Sequence, residues 1–244
     1  MIKQCLMAAI AALGLAVAPV ARAHEVQPMI VTVPPSGAGS AFRLMIKNTE
    51  AVPITLELQP LKVVVGPDGS VERTPEDADI ILFPPQTIIP PGAEQAVQVR
   101  YVGPPDLTEA KVYAVLVSQL PVDFSTTSGA GGSVTQVKIG FNFLSHIFVT
   151  PPGAKEAVSF STGRKGPDGV LSFEAANDGA AAALFRTATW TLTDASGRKV
   201  ELQADKLNYG QFGALMPHTK RTITVPAELV SDLSGDVSVA MAVQ

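Results

Sequence analysis

The sequence predicts an all-β protein built from two β-sandwich domains. Short runs in which apolar and polar residues alternate recur along the chain, and hardly any stretch keeps the 3.6-residue period of a helix. Turn-forming residues separate these runs, since the chain contains 20 Gly and 20 Pro. The length of 244 residues, less an N-terminal export signal, fits two domains of about 100 residues better than one large domain.

Residues 1–23 are predicted to be a signal peptide that is removed on export. Lys3 supplies a positive charge, residues 6–20 form an apolar run too short to span a membrane, and the Ala-Arg-Ala sequence at 21–23 is a cleavage site. The mature chain would begin at His24. Cys5, the single cysteine, lies inside the signal, so the exported protein is expected to have no disulfide.

The exported chain is expected to be a soluble protein of the periplasm of a Gram-negative cell. No later apolar segment reaches the length of about 18 residues that a membrane-spanning helix needs, so no stable membrane insertion is predicted. The full chain has 18 Lys and Arg against 22 Asp and Glu. Loss of Lys3 and Arg22 leaves 16 basic residues and a net charge near −6, which argues against nucleic-acid binding.

The N-terminal domain is predicted to span residues 24–150 and to be immunoglobulin-like, because seven strands with turn-length connections precede a long final strand. Residues 111–120 are apolar on both faces, which predicts a central strand. The Gly-Pro-Asp-Gly sequence at 66–69 predicts a hairpin turn. The seven extended runs lie at 29–33, 41–48, 54–58, 63–65, 79–83, 97–102 and 111–120.

The long strand is predicted to cover residues 134–149. Its first half alternates, with one face formed by Val137, Ile139, Phe141 and Phe143 and the other by polar or small residues. From Leu144 the alternation ends and the sequence stays mostly apolar. The apolar stripe of residues 137–143 can be read in two ways, as part of the domain's own core or as a surface offered to a partner.

The C-terminal domain is predicted to span residues 151–244 and to be a second, smaller immunoglobulin-like sandwich. A Pro-Pro-Gly turn at 151–153 marks its start. A second Gly-Pro-Asp-Gly sequence at 166–169 fits a duplicated domain, although common turn chemistry would produce it as well. Its extended runs lie at 157–160, 170–175, 184–192, 200–202, 222–225 and 237–243.

Several short motifs of the first domain occur together in a fixed order. In chain order they are Asn48 at the end of an alternating strand, Phe83-Pro84-Pro85, Ile89-Pro90-Pro91-Gly92, Gln95, residues 97–101, Gly103, residues 112–121, and Ile147-Phe148-Val149-Thr150-Pro151. In this order and spacing, most of residues 26–152 resemble the periplasmic chaperones of the chaperone–usher pathway of pilus assembly. The second domain agrees with that family in size and class only.

The resemblance implies two immunoglobulin-like domains in a boomerang arrangement, with a cleft that receives a pilin-like subunit. Family members lend the last strand of the first domain to a subunit whose own sandwich lacks one, and pass the subunit to an outer-membrane usher. Here the lent side chains would be Val137, Ile139, Phe141 and Phe143. The physics agrees, because an added strand satisfies an open edge while alternate side chains fill the groove.

The sequence departs from the family where the subunit's C-terminal carboxylate is held. The family uses an Arg on the first strand and a Lys near the end of the long strand, and by position this chain has Thr32 and His146 there. Either side chain could donate a hydrogen bond. Arg43, on the neighbouring strand, would supply the missing charge if it faced the cleft. The charged cluster between the family's domains is replaced by Ala110 and Thr150.

Two other function classes stay open. The amino group and imidazole of His24 could chelate Cu(II) in an exported copper-binding sandwich protein, with His146 and His218 as the only other histidines. A structural or adhesive sandwich protein would self-assemble, and a free chaperone could also self-associate through its exposed edge. No enzymatic activity and no cofactor are expected, because the chain has no G-x-S-x-G sequence and no phosphate-binding loop.

Overall fold

The structure, a computed structural model, describes residues 25–120 and 140–243. These residues form short strands and three single-turn 3₁₀ helices at Ala38–Ser40, Ala204–Lys206 and Ala227–Leu229. The strands are β1 Glu25–Gln27, β2 Ile30–Val33, β3 Ala41–Lys47, β4 Ile54–Val65, β5 Val71–Pro75, β6 Ile80–Phe83, β7 Gln86–Ile89, β8 Glu94–Tyr101, β9 Lys111–Leu120, β10 Asn142–Val149, β11 Val158–Phe160, β12 Arg164–Lys165, β13 Leu171–Asn177, β14 Ala183–Leu184, β15 Ala188–Asp194, β16 Lys199–Gln203, β17 Ala214–Leu215, β18 Thr219–Val225 and β19 Val237–Val243.

Strands β1–β10 form an N-terminal sandwich of two sheets. One sheet has the order β1-β3-β8-β6, and the other has the order β2-β10-β9-β4-β5 with β7 also paired to β4. Alternate residues of both sheets meet in one core, for example Leu44 of β3 and Val115 of β9. The predicted central position of residues 111–120 is confirmed, because β9 lies between β10 and β4.

Strands β11–β19 form a C-terminal sandwich around Trp190. One sheet has the order β11-β13-β12, with β18 also paired to β13, and the other has the order β16-β15-β19. The two sheets enclose one apolar cluster. The fully buried indole of Trp190 lies 5.3–6.0 Å from the rings of Phe160, Phe173 and Phe185, measured between centroids. The all-β fold with two sandwiches that the sequence predicts is therefore confirmed, while the domain bounds at residues 150 and 151 stay a prediction.

The two Gly-Pro-Asp-Gly sequences form the same hairpin turn. In each, the first glycine donates its N–H to the carbonyl four residues on, at 2.9 Å. In each, the aspartate Oδ1 accepts the N–H two residues on, at 3.0 Å for Asp68 and 3.1 Å for Asp168. The hairpin predicted at residues 66–69 is confirmed, and residues 166–169 form the same turn.

The sandwiches also share a buried asparagine at the end of one of their strands. Asn48 follows β3 and Asn177 ends β13, and both are 0% exposed. Each Nδ2 donates to the carbonyl four residues on and to a carbonyl of a distant segment, while each Oδ1 accepts the N–H two residues on. The same side chain therefore fixes the same loop in both domains.

A third apolar cluster joins the two sandwiches. The outer face of the sheet that contains β4, β9 and β10 contributes side chains such as Val63 and Phe148, and the segment before β18 contributes Phe212 and Ala214. Ala110 N–H donates to Ala180 O at 2.8 Å across the same junction. Apolar packing and backbone hydrogen bonds therefore connect the domains at the position where the family's charged cluster was expected.

The β4–β5 hairpin turn lies directly against the C-terminal sandwich at Gly69. Its φ is +79°, and a Cβ placed there would lie 2.7 Å from Tyr209 O. Gln211 N–H donates to Gly69 O at 3.0 Å. This contact has no room for any side chain on the turn residue.

We expect Gly69→Ala to lower the thermal midpoint more than Gly92→Ala does. Both glycines have positive φ, +79° and +70°, but a Cβ at Gly92 would meet nothing within 4 Å. The backbone cost of about 1–2 kcal/mol is common to both, and only Gly69→Ala must also move the hairpin off Tyr209. Calorimetry of the two variants measures the difference, which we expect to be at least about 2–4 °C, the shift for about 1 kcal/mol. Equal losses would mean that the hairpin does not hold the junction.

Candidate edge strand and junction cavity

Part of the edge of β10 is open among the described residues. β10 pairs antiparallel with β9 along its whole length, but β2 pairs with it, in parallel, only from His146 to Val149. From Asn142 to Ser145, no strand in the described part of the chain pairs with the β2-side edge. Open edges are uncommon in soluble β proteins because they recruit other strands.

The hydrogen-bond directions show which backbone groups this edge presents. Phe141 O accepts from Gln119 N–H of β9 at 3.0 Å, whereas His146 N–H donates to Met29 O, beside β2, at 2.9 Å. Successive residues of a strand point their backbone groups to opposite sides. The N–H and C=O groups of Asn142 and Leu144 therefore point to the open edge.

One face of β10 continues the core of the N-terminal sandwich. Ser145, Ile147 and Val149 are fully buried there, and Ser145 Oγ donates to Pro28 O at 2.6 Å. Phe143 is half-buried against the same core and Phe141 is 39% exposed, so burial falls toward the open end. The other two predicted donor residues, Val137 and Ile139, lie outside the described residues. Of the predicted 134–149 strand, the described part is paired from Asn142 onward.

The other face of β10 packs against the C-terminal sandwich. Leu144 and Phe148 belong to the cluster that joins the domains, and the rings of Phe148 and Phe212 are 6.2 Å apart. Both faces of this half of the strand are therefore covered. This is the physical reason why the alternation in the sequence ends at Leu144.

A cavity of about 330 Å³ lies between the two sandwiches beside the open edge. The backbone of β10 reaches it through Asn142, Leu144 and His146, and the C-terminal sandwich contributes Leu184 and Phe212 among others. The titratable side chains that line it are Arg73, His146 and Arg186. None of the described lining residues is acidic, in a chain whose net charge is −4.

His146 is held neutral in this cavity. Its imidazole packs edge-on against Phe212 with centroids 5.4 Å apart, and its Nε2 is buried without a hydrogen-bond partner among the described residues. Burial, followed by the charges of Arg73 and Arg186, lowers the pKa of His146 to about 4. The imidazole is therefore uncharged at neutral pH, and the positive charge of the cavity comes from the two arginines.

The other predicted anchor residues lie outside this cavity. Thr32 is in register with Phe148, two residues beyond His146 on the same sheet face, and its side chain is exposed. Arg43 is on β3 in the opposite sheet and points away from the core, since its neighbour Leu44 is buried. The structure therefore does not bring Arg43 to His146.

Arg73 and Arg186 were not singled out from the sequence. They are 113 positions apart in the numbering, and neither stands in a motif or an alternating pattern. Only the contact between the sandwiches brings them to one cavity. Within the described residues, neither guanidinium has a carboxylate within 4.0 Å.

Two findings concern the other function classes. Among the described residues, no group of three or more His, Cys, Asp and Glu side chains could hold a metal ion, and His24 lies outside those residues. His218, far along the chain from His146, is 3.9 Å from a carboxylate oxygen of Glu109. In the same part of the chain, no helix has the length and apolar character needed to cross a membrane.

Solved structures with a similar fold include fimbrial chaperones. The class 5 fimbrial chaperone CfaA matches with a TM-score of 0.56 and 12% identity, covering 91% of this chain and 93% of its own. The Escherichia coli chaperone DraB matches with a TM-score of 0.54 and 16% identity, covering 90% and 95%. A chain of the Salmonella enterica complex of the SafA pilin with the SafB chaperone matches with a TM-score of 0.55 and 13% identity, covering 93% and 99%.

These matches come from comparing whole structures. No protein-family model matches the chain, and no curated protein matches it. At identities of 12–16%, these matches show a shared fold, while most side chains differ. The chain has the two-sandwich fold of these fimbrial chaperones.

Proposed function

We propose that this protein is a periplasmic chaperone that binds pilin-like subunits by donor-strand complementation and delivers them to an outer-membrane usher. The observation that carries the proposal is the open edge of β10 between Asn142 and Ser145, in a chain with the fold of fimbrial chaperones. The predicted signal peptide at residues 1–23 would bring the protein to the periplasm.

The chemistry of the edge suits a partner whose own sandwich lacks a strand. Such a partner exposes both an apolar groove and unpaired backbone groups, and both promote aggregation. The N–H and C=O groups of Asn142 and Leu144 would complete its sheet. Val137, Ile139, Phe141 and Phe143, spaced by two residues, would fill its groove. Burial of each side chain would contribute about 1.5–3 kcal/mol.

Release needs no catalysis in this proposal. A neighbouring subunit's strand that fills the groove better than residues 137–143 do would replace the chaperone strand. The free energy of that exchange comes from packing, so no nucleotide and no other cofactor takes part. Before capture, the free chaperone could protect its edge by self-association, as exposed strands tend to do.

Asn142→Pro tests the edge directly. Proline removes the N–H that points to the open edge, but it leaves the ladder to β9 intact, because Asn142 points its backbone groups away from β9. A carbonyl of the partner would then be buried without a donor, at a cost of about 1–3 kcal/mol. We expect the yield of a co-expressed pilin-like subunit, measured by co-purification, to fall about tenfold.

Asn142→Ala is the matched control. It removes the same exposed side chain but keeps the backbone N–H, so we expect subunit recovery close to that of the wild-type protein. Circular dichroism and thermal unfolding check that both variants keep the fold. Recovery that is equally high with proline and with alanine would rule out strand pairing at this edge.

A further inference from the structure

His146 lies where the two sandwiches meet. It belongs to β10 of the N-terminal sandwich, and its ring packs edge-on against Phe212 of the C-terminal sandwich, with centroids 5.4 Å apart. Its Nε2 is buried and has no hydrogen-bond partner among the described residues. A proton on this ring would place a positive charge in an apolar contact, with no acceptor at Nε2 among those residues to replace the lost water.

The charged groups around His146 are all positive. Of the described residues that line the junction cavity, only Arg73 on β5 and Arg186 after β14 carry a charge at neutral pH. Neither guanidinium has a carboxylate within 4.0 Å among the described residues. On the neighbouring strands, the residues opposite His146 are Ile30 of β2 and Ala114 of β9, which are uncharged. A proton on His146 would therefore add a third positive charge to a cavity whose described lining has no negative charge to balance it.

The two arginines reach the cavity from different domains. Arg73 lies opposite Val63 of β4, so it points to the same face of the sheet as Val63, which is buried in the cluster that joins the sandwiches. Arg186 belongs to the C-terminal sandwich. A Cβ added at Gly213 would collide with the side chain of Arg186, which therefore lies across the bare backbone of this glycine. Repulsion between a protonated His146 and Arg186 would act across the junction and push the two sandwiches apart.

The closed junction binds this proton weakly. Burial, followed by the charges of Arg73 and Arg186, lowers the pKa of His146 from the ordinary value of 6.5 to about 4. When the sandwiches separate, water reaches the ring and the pKa returns toward about 6.5. The open junction therefore binds the proton more tightly, so the closed junction is fully stable above about pH 6.5 and is weakened as the pH falls from there to about 4. The ratio of closed to open junction should fall about tenfold at pH 5.5 and about thirtyfold at pH 5.

We propose that His146 makes the contact between the two sandwiches acid-sensitive: the junction stays closed while the ring is neutral and loosens when the ring takes up a proton. The neutral ring packs against Phe212, and the protonated ring is repelled by Arg186. Because this junction encloses the cavity beside the open edge of β10, acid would change the surface that a partner of that edge meets. No partner is needed for the response itself, so it holds whether or not the protein is a chaperone.

Two other charged pairs cross the junction, and neither would loosen it in this pH range. His218 of the C-terminal sandwich is 3.9 Å from Glu109, and protonation of His218 would strengthen that attraction. Both side chains are largely exposed, so the attraction is weak. Asp68 of the β4–β5 turn attracts Arg221 of β18. Hydrogen bonds with Ser70 hold the pKa of Asp68 below its ordinary value, so this carboxylate stays charged at pH 5.5.

Amide hydrogen exchange of the mature full chain tests the opening directly. Two backbone hydrogen bonds cross the junction, from Gln211 N–H to Gly69 O at 3.0 Å and from Ala110 N–H to Ala180 O at 2.8 Å. The protection factors of these two amides, measured by NMR and corrected for the intrinsic effect of pH on exchange, give the ratio of closed to open junction. We expect both to fall about tenfold between pH 7.5 and pH 5.5, while circular dichroism shows that the sandwiches stay folded.

The change of protection with pH, and not its level, identifies His146 as the cause. In His146→Phe the ring cannot take up a proton, so the protection factors should change less than about twofold over the same range. Arg186→Gln removes the repulsion across the junction, so the fall should shrink to a few-fold. His218→Gln is the control, because it removes the other histidine of the described chain and should keep the full tenfold fall. Each variant is compared with itself at two pH values, so a general loss of stability does not affect the comparison.

An NMR titration of the His146 ring supplies an independent readout. We expect its pKa to lie well below 6.5 in the wild-type protein and to be higher in Arg186→Gln. Protection factors that do not change with pH in the wild-type protein would overturn the inference, and so would a tenfold fall that persists in His146→Phe. Loss of the fall in His218→Gln would also overturn it, because the acid response would then belong to the pair of His218 and Glu109.

Discussion

Phe141→Asp is expected to lower the recovery of a co-expressed pilin-like subunit by ten- to a hundredfold. Phe141 is 39% exposed beside the open end of β10 and belongs to the stripe proposed to fill the partner's groove. Losing the burial of one such side chain costs about 1.5–3 kcal/mol, and each 1.4 kcal/mol is about tenfold in binding. Placing a carboxylate in the apolar groove adds a further desolvation cost.

Phe83→Asp is the matched control for this change. Phe83 is 75% exposed on β6, an edge strand of the opposite sheet, so the substitution has the same chemistry at a distant surface. We expect it to leave subunit recovery unchanged. If both variants lose the subunit equally, added negative charge explains the loss, and if neither does, Phe141 is not a donor residue. Ile139→Asp extends the test into the predicted part of the stripe.

The donor strand could be predicted in part from sequence because its pattern is local. Two-residue alternation is read within a few neighbouring positions, and it predicts one face formed by Val137, Ile139, Phe141 and Phe143. Of these, Phe143 packs against the core of the N-terminal sandwich. The other face could not be predicted in the same way. Leu144 and Phe148 are apolar because they meet the C-terminal sandwich, and a contact between distant parts of the chain leaves no local period.

The residues of the predicted carboxylate anchor depend even more on contacts between distant parts of the chain, which a local sequence pattern does not reveal. His146 was found by its position in a family pattern, but its neutral state depends on burial and on Arg73 and Arg186. Neither arginine has a motif, and Arg43, which looked suitable from its place on a neighbouring strand, belongs to the opposite sheet. Sheet membership is decided by long-range pairing, which a reading of single strands does not provide.

Most strands could be predicted, and the misread segments have identifiable causes. The sequence predicts separate extended runs at 54–58 and 63–65, yet both belong to β4, which continues through Pro60. Pro60 is tolerated there because the second edge of β4 changes partner around it, with β7 pairing up to Glu57 and β5 pairing from Leu61. The sequence of residues 88–92, Ile-Ile-Pro-Pro-Gly, predicts a tight turn, but Ile88 and Ile89 belong to strand β7, which pairs with β4.

The likeness between the two domains was visible only through the repeated hairpin turn, and a buried asparagine is the stronger sign of it. Asn48 and Asn177 share three hydrogen bonds. In each, Nδ2 donates to the carbonyl four residues on and to a carbonyl of a distant segment, and Oδ1 accepts the N–H two residues on. From sequence, each is one asparagine after an alternating run. The distant carbonyl is 41 positions from Asn48 and 38 positions from Asn177, so the role of either asparagine could be recognised only once the fold was known.

Asn177→Asp is expected to destabilise the protein by about 3–5 kcal/mol, the cost of a buried charge without a partner. Nδ2 of Asn177 donates to Ala181 O at 2.8 Å and to Leu215 O at 3.2 Å, while Oδ1 accepts from Gly179 N–H at 3.1 Å. An aspartate keeps the acceptor but turns a carboxylate oxygen toward two carbonyl oxygens. The thermal midpoint should fall by about 10 °C, at about 2–4 °C for each kcal/mol.

The pH dependence of the stability lost in Asn177→Asp separates the effect of a buried negative charge from the effect of changed packing. Burial and the facing carbonyls raise the pKa of a carboxyl group at residue 177 above its unfolded value of about 3.9. The folded state then binds a proton more tightly than the unfolded chain, so the stability deficit is greatest above the raised pKa and narrows as the pH falls through that pKa toward about 3.9. Asn208→Asp is the control, since Asn208 is exposed and uses only its Oδ1, to accept from Gly210 N–H at 3.1 Å. An aspartate supplies the same acceptor, so we expect a change within about 0.5 kcal/mol. A stability deficit of Asn177→Asp that did not change with pH would mean that the buried asparagine contributes through the shape of its side chain and not through its Nδ2 donor.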